Sequence, residues 1–395
     1  MSESPSMIIG VVGAGAMGSG IAQVAASAGH SVVLADAEPS AVARAKAGIA
    51  KSLARDVEKG RMDAARAAQV NERIGDAGAI GDNAVAFAKC GMVIEAIAER
   101  LDVKQSLFRE LETVVTSECI LATNTSSLSV SAIAGPLAHA ERVVGVHFFN
   151  PAALMPLVEI VPSIVTNPAV VQTARTLVAG WKKVTVIASD TPGFIVNRIA
   201  RPFYGESLRQ LEEGVADIAT IDWAMKELGG FRMGPFELMD FIGNDINYAV
   251  TQSVFEGFFF DPRYRPAITQ RRLVEAGLYG RKRGRGYYSY AEGAERPEPR
   301  QDTSLGQAIL DRTLAMLINE AVDAVHLGVA SPEDIELSMT RGVNYPRGLL
   351  AWGDEIGGAT VLARIDALQA EFGEDRYRAS PLLRKSVRNR RRLLQ

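Results

Sequence analysis

In the first half of the chain, short apolar runs alternate with longer stretches whose apolar positions recur every three or four residues. The runs at 8–12, 31–35, 91–95, 119–122, 142–148, 157–161 and 183–187 have strand length and are apolar almost throughout. Strands buried on both faces have that character, and the intervening spacing is helical. The alternation predicts a doubly wound parallel sheet reaching residue 188. The interval 37–90 departs from it. That interval is Ala-rich, reads as largely helical, and is long enough to form a helical arm.

From Ser189-Asp-Thr-Pro-Gly193 onward the pattern turns mainly helical as far as residue 290. Residues 291–302 are polar, carry Pro297 and Pro299, and read as a linker. Residues 303–395 form another helical block, which repeats the previous one at an offset of 114 residues. Glu206 matches Glu320, Gly214-Val215-Ala216 matches Gly328-Val329-Ala330, Met225 matches Met339, and Gly234 matches Gly348. Asp240 matches Asp354, and Ile242-Gly243 matches Ile356-Gly357. An ordered, gapless set of this kind predicts a duplicated helical unit. Asp311 stands opposite Asn197, and the second copy stops before any counterpart of the glycine-rich loop Gly280–Gly286.

The first chemistry sits between the first two runs. Gly13-Ala-Gly15-Ala16-Met17-Gly18 follows the strand 8–12 and opens a helical stretch, and Asp36 lies at the tip of the next strand. Gly13 permits the tight turn, Gly15 lets backbone approach a pyrophosphate, and Gly18 allows helix to pack on strand. The phosphates meet the free amides of the helix N-terminus. A carboxylate at Asp36 accepts from ribose hydroxyls and repels a 2′-phosphate, so NAD(H) is expected rather than NADP(H). A lone GxGxxG could be a plain glycine-rich turn; strand, helix and acid together make it a dinucleotide site. The predicted fold is an α/β Rossmann-type NAD-binding domain, residues 1–188 with the 37–90 arm, followed by two all-α domains, 189–290 and 303–395.

The second chemistry is a pair of ionisable residues in apolar runs. His147 lies in Val143-Val-Gly-Val-His-Phe-Phe-Asn-Pro151, and Glu159 is embedded in Leu157-Val-Glu-Ile-Val161. Burying an unpaired charge costs several kcal/mol. In neighbouring strands the two can satisfy each other and form a base, with the carboxylate orienting the imidazole. A satisfied core histidine beside an unrelated carboxylate is the other reading of this stretch alone. His30, His139 and His326 have no partner pattern and read as surface or core. Phe255–Phe260 and Trp223 read as helix packing, while Phe148 and Phe149 could pack the core or shape an acyl pocket.

The chain of 395 residues, with 47% hydrophobic residues and net charge −3, has ample core for two or three domains. Near-neutral charge argues against broad nucleic-acid binding. No apolar run approaches the ~20 residues that span a membrane. The first residues lack the pattern of a signal peptide. Cys90 and Cys119 show neither metal nor disulfide spacing, so no metal is expected, and a cytoplasmic enzyme fits. An anionic ligand must therefore meet local basic clusters. Three exist: Lys51 to Arg61, the loop 280–286, and the tail Arg384 to Arg392. Each could equally be a solvated face.

The residues quoted so far, with Glu95-Ala-Ile-Ala-Glu99, Asn124-Thr-Ser-Ser-Leu128, Asp190-Thr-Pro-Gly-Phe-Ile-Val-Asn-Arg198, Gly234-Pro-Phe-Glu-Leu238 and Gly286-Tyr-Tyr288, resemble the L-3-hydroxyacyl-CoA dehydrogenase family of the 3-hydroxybutyryl-CoA type. The resemblance covers residues 7–290. The second helical copy is similar to that of longer bacterial members and of multifunctional β-oxidation proteins. No hydratase region precedes the nucleotide fold, so a monofunctional enzyme is expected. The helical domains are then expected to be 6-phosphogluconate dehydrogenase C-terminal-like.

The resemblance also implies roles. His147 would be the general base and Glu159 its orienting carboxylate; Ser126 would bond the reacting oxygen and Asn197 would polarise a substrate carbonyl. Gly13, Gly15, Ala16, Met17, Gly18, Asp36, Glu99, Lys104, Ser126, Asn150 and Lys282 would line NAD. Ser52, Lys59 and Ser126 would hold the acyl-CoA. Two other readings stay open: a sugar-acid dehydrogenase of the gulonate type, and a non-catalytic crystallin-like or NAD-sensing module. Single-copy members dimerise through the helical domain. A second copy could cover that face, so a monomer with an internal pseudo-dimer is expected slightly more than a homodimer.

Overall fold

The computed structural model describes residues 7–79 and 84–394. The first six residues, and positions 80–83 of the 37–90 interval, lie outside the described residues. The chain divides into two compact units, one up to Thr191 and one from Pro192.

The first unit is built on one eight-stranded sheet among the described residues, in the order β3-β2-β1-β4-β5-β6-β7-β8. The strands are β1 (Ile8–Val12), β2 (Ser31–Asp36), β3 (Ile74–Ala79), β4 (Met92–Glu95), β5 (Ile120–Thr123), β6 (Val143–Phe148), β7 (Leu157–Pro162) and β8 (Val184–Ile187). Seven coincide with the apolar runs. The eighth, β3, falls inside the interval expected to be helical. Its sequence, Ile-Gly-Asp-Ala-Gly-Ala, carries two glycines and one strongly apolar residue, so it has little intrinsic strand signal. It forms as an edge strand because it can pair with β2.

Helices complete the unit: α1 (Ala16–Ser27), α2 (Pro39–Glu58), α3 (Ala64–Glu72), α4 (Leu101–Val114), α5 (Val130–Ala134) and α6 (Pro168–Gly180). The predicted arm is α2 with α3. It packs on α1 and on the strands β2 and β3, rather than standing apart from them. Val42, Ala45, Ile49 and Leu53 form its buried stripe, three or four residues apart, and Asp63 caps α3 by accepting from the Arg66 amide.

The sheet is not wholly parallel as expected. β6 and β7 pair antiparallel, and β8 runs parallel to β7. Only eight residues separate Phe148 from Leu157, too few for the crossover a parallel return needs. This reversal puts His147 directly opposite Glu159 in the register.

The second unit is helical: α7 (Val196–Ile199), α8 (Arg201–Glu212), α9 (Ile218–Trp223), α10 (Pro235–Ile242), α11 (Asn244–Gly257) and α12 (Ile268–Glu275), then α13 (Thr303–His326), α14 (Pro332–Gly342), α15 (Leu349–Ile356), α16 (Gly358–Phe372) and α17 (Pro381–Arg388). α10 and α15 begin and end 114 residues apart. Gly243 and Gly357 follow them, both with positive φ. Asp222 accepts from two amides of the first turn of α10, and Glu336 does the same at α15. Asp240 accepts from the Tyr287 and Tyr288 amides; its counterpart Asp354 accepts from Leu393 and Leu394. The second copy therefore lacks the 280–286 loop but fills the seat that anchors it with its last residues.

α13 packs against α8 and is buried on nearly every side from Thr313 to Ala324. Its contacts are reciprocal. Arg198 bonds Glu320 (2.6 Å) and Tyr264 donates to Glu320 (2.6 Å); Arg312 bonds Glu206 (3.0 Å) and Tyr377 donates to Glu206 (3.0 Å). Such reciprocity is the mark of a twofold interface, here closed within one chain. The basic residues of α17 and the following turn are exposed, Arg384 pairing with Asp366. Two of the aromatics expected to pack helices do not: Phe259 and Phe260 have positive φ and lie 93% and 65% exposed.

Candidate functional site

Gly13 leaves β1 at φ +104, and its amide donates to the Ala35 carbonyl at the end of β2. A Cβ on Gly18 would lie 1.7 Å from the Gly13 carbonyl oxygen, so glycine is required there for α1 to start where it does. Gly15, the N-cap of α1, faces open space, and no acidic side chain occupies the first turn. The amides of Ala16 and Met17 open the helix, leaving an anion seat of the expected kind. Asp36 ends β2, where its carboxylate accepts from the Ala14 amide (2.6 Å) and the Glu38 amide (3.0 Å). It therefore braces the glycine turn, with lone pairs left on each oxygen.

His147 and Glu159 meet across β6 and β7, with Nδ1 2.7 Å from Oε2; they are 5% and 0% exposed. A carboxylate only accepts, so Nδ1 carries the proton and Nε2 is left as the basic nitrogen. The Phe149 ring lies 4.5 Å from the imidazole, whereas Phe148 is buried and stacks on Trp181. Phe149 is thus the residue at the site and Phe148 the core residue. Asn150, next along, is exposed.

A second buried cluster lies at the ends of β4 and β5. Lys104 is buried and bridges Glu95 (2.6 Å) and Glu99 (3.1 Å). Thr123 donates to Glu95. Glu99 accepts from the Ser126 amide (3.0 Å), from Thr125 and from Ser127. Burial pushes the Glu95 carboxyl above its usual range, despite Lys104. Burial acts on Glu99 too, but Lys104 and the two hydroxyls outweigh it and hold that carboxyl low. Lys104 and Glu99 therefore fix the loop that carries Ser126. Glu95 and Asn124, whose side chain accepts from the Phe148 amide (2.8 Å), belong to the same framework and were not singled out from sequence. An acid ending the apolar run Met92-Val-Ile-Glu95 is the signal that could have flagged Glu95.

Ser52 and Lys59 line a cavity of about 1070 Å³, which also touches Gly15 and Ala16. Arg44, Arg55, Arg61 and Arg66 share its walls with Lys182 and Lys183, against the single carboxylate of Asp56. Lys51 of the same basic cluster is not among the lining residues. Lys183 donates to the carbonyls of Ala152 (2.6 Å) and Met155 (2.7 Å), pinning the connection between β6 and β7; burial pulls its ammonium down to about 8. Asn197 and Lys282 lie in the second unit. There the Asn197 carbonyl accepts from Arg201, and Lys282 pairs with Asp245 at 2.7 Å. His30 is a core residue that accepts from the Met7 amide, while His139 and His326 are exposed. Among the described residues no helix is long and apolar enough to cross a membrane.

Residues 8–191 match the family model described as 3-hydroxyacyl-CoA dehydrogenase, NAD binding domain. The corresponding C-terminal domain model matches twice, over 193–290 and 309–392. The chain is 37% identical to 3-hydroxyadipyl-CoA dehydrogenase of Escherichia coli K12, covering 95% of this chain and 96% of that one. It is 41% identical to 3-hydroxybutyryl-CoA dehydrogenase of Bradyrhizobium diazoefficiens, over 71% of this chain and 94% of that one. The crystal structure of 3-hydroxybutyryl-CoA dehydrogenase from Escherichia coli K12 matches with a TM-score of 0.92 at 36% identity, covering 98% of this chain and 99% of that one. With its glycine turn, its buried histidine–carboxylate pair and both family domains in place, the chain belongs to the NAD-dependent 3-hydroxyacyl-CoA dehydrogenase family.

Proposed function

We propose that the chain catalyses the reversible oxidation of (S)-3-hydroxyacyl-CoA to 3-oxoacyl-CoA. The 2.7 Å contact between His147 and Glu159 carries this reading. Nε2 of His147 takes the proton of the 3-hydroxyl, and Glu159 stabilises the imidazolium that forms. NAD, when bound, supplies the hydride acceptor. The glycine turn, the open N-terminus of α1 and Asp36 fit its pyrophosphate and ribose. Ser126, held by Glu99, donates to the reacting oxygen, and Asn197 polarises the substrate carbonyl; neither titrates in doing so. Asn150 and Lys282 complete the cofactor contacts that the resemblance implies.

Ser52, Lys59 and the basic cavity hold the CoA nucleotide, whose pyrophosphate and 3′-phosphate need such charge. A free sugar acid has no use for it, and this disfavours the gulonate-type alternative. The non-catalytic alternative leaves the buried base pair without a role. Oxidation of NADH on addition of acetoacetyl-CoA, followed by absorbance, separates the three readings. The acyl chain is proposed as short; relatives are named for both a butyryl and a dicarboxylic adipyl chain. Cys90 and Cys119 are buried free thiols, in keeping with a reducing cytoplasm.

Two expected outcomes follow from the binding residues. Asp36→Asn keeps an acceptor for the Ala14 amide but removes the charge. It should narrow the NADH over NADPH preference in kcat/KM by roughly tenfold, equivalent to about 1.4 kcal/mol of relieved repulsion. An unmodified protein using both cofactors equally would contradict the role. Lys59→Ala should raise KM for acetoacetyl-CoA up to about fivefold at low salt and less at high salt. A pantetheine analogue lacking the nucleotide should show no such change; an equal loss with both would make Lys59 a packing residue.

A further inference from the structure

Arg201 opens α8 and is 7% exposed. Its guanidinium donates only to neutral acceptors: the Asn197 carbonyl (2.7 Å), the Thr251 hydroxyl (3.0 Å) and the Asn247 carbonyl (3.5 Å). The other buried arginines among the described residues, from Arg142 to Arg376, each have a carboxylate within ion-pair distance. Arg201 has none among the described residues. A buried cation without a counter-charge is costly, and burial accordingly weakens its hold on its proton. The Tyr204 ring, 4.9 Å away, offsets part of that cost.

Arg201 lines a small cavity of about 10 Å³, close to the space one water molecule needs. Arg209, Arg263 and Arg265 line it too, with Gln270 and no carboxylate. The Nε of Arg263, itself 6% exposed, is a buried donor without a hydrogen-bond partner. Arg209, Arg263 and Arg265 are each paired with an acid outside the lining, so Arg201 is the guanidinium there with no counter-charge. A lone buried guanidinium facing a cavity has the chemistry of an anion seat.

We propose that this cavity binds one small monovalent anion on Arg201, and that occupancy steadies the turn carrying Asn197. The anion is a free ion of the medium, of the size of chloride. The link to Asn197 rests on its proposed role at the substrate; the anion seat does not.

Thermal melts in chloride against gluconate at fixed ionic strength test the proposal, since screening is then constant. Chloride should raise Tm saturably by roughly 2–4 °C, and Arg201→Met should abolish the response. Gln270→Glu supplies a carboxylate from within. Its Tm in gluconate should exceed that of the parent, and it should ignore chloride; this variant decides the matter if Arg201→Met does not fold. A Tm of the parent protein that shows no saturable response to chloride would overturn the proposal. Failure of the enzymatic reading would look different: no NADH oxidation by the parent protein, which the melts do not sense.

Discussion

His147→Gln should lower kcat by about 10²–10⁴-fold, the usual worth of a general base, while NADH binding stays nearly intact. Glutamine can still hydrogen-bond Glu159 but has no nitrogen that takes a proton. Glu159→Gln should also be severe, because the imidazolium would form in a buried site without its stabilising charge. Either change breaks a buried pair, so some stability is lost as well. Pre-steady-state turnover on protein verified as folded by thermal melt, with NADH titrated by fluorescence, separates the two effects. A His147→Gln protein retaining most of the parent kcat would show that the base is elsewhere.

The parts of this site legible in the sequence are those written in local pattern. The glycine turn, the acid at the tip of β2, and two ionisable residues in apolar strands are each anomalous within a few positions of their own run. What stayed hidden depends on direction or on distant partners. Apolar runs do not say which way a strand points, so the reversal of β7 that sets His147 against Glu159 was not apparent. The eight-residue gap before Leu157 was the available clue. β3 was hidden because pairing, not composition, makes it a strand. Lys104 was placed at the cofactor by resemblance, yet its ammonium is buried between Glu95 and Glu99, one on a strand and one on the loop after it. Helical spacing likewise made Phe259 and Phe260 look like packing residues, although the chain turns out of the helix before reaching them.

The 114-residue repeat leads to the second large expected effect: a chain ending near Glu298 should not survive as a soluble monomer. Removing α13 to α17 strips the apolar cover of α8 and leaves Arg198 and Arg263 without Glu320 and Asp323. Glu206 loses Arg312 and Tyr377 in the same step. Breaking one buried pair costs about 3–5 kcal/mol, and a whole domain is stable by only about 5–15 kcal/mol. The reciprocity of the contacts offers one rescue. Glu320 is the counterpart of Glu206, so in a twofold dimer of truncated chains Arg198 of one molecule could meet Glu206 of the other. The truncated chain should therefore dimerise or aggregate, while the full chain, already closed on itself, should scatter light as a monomer. Light scattering on both forms over a range of concentrations decides it. A truncated chain that stays soluble and monomeric would show that the second helical copy does not mask the first.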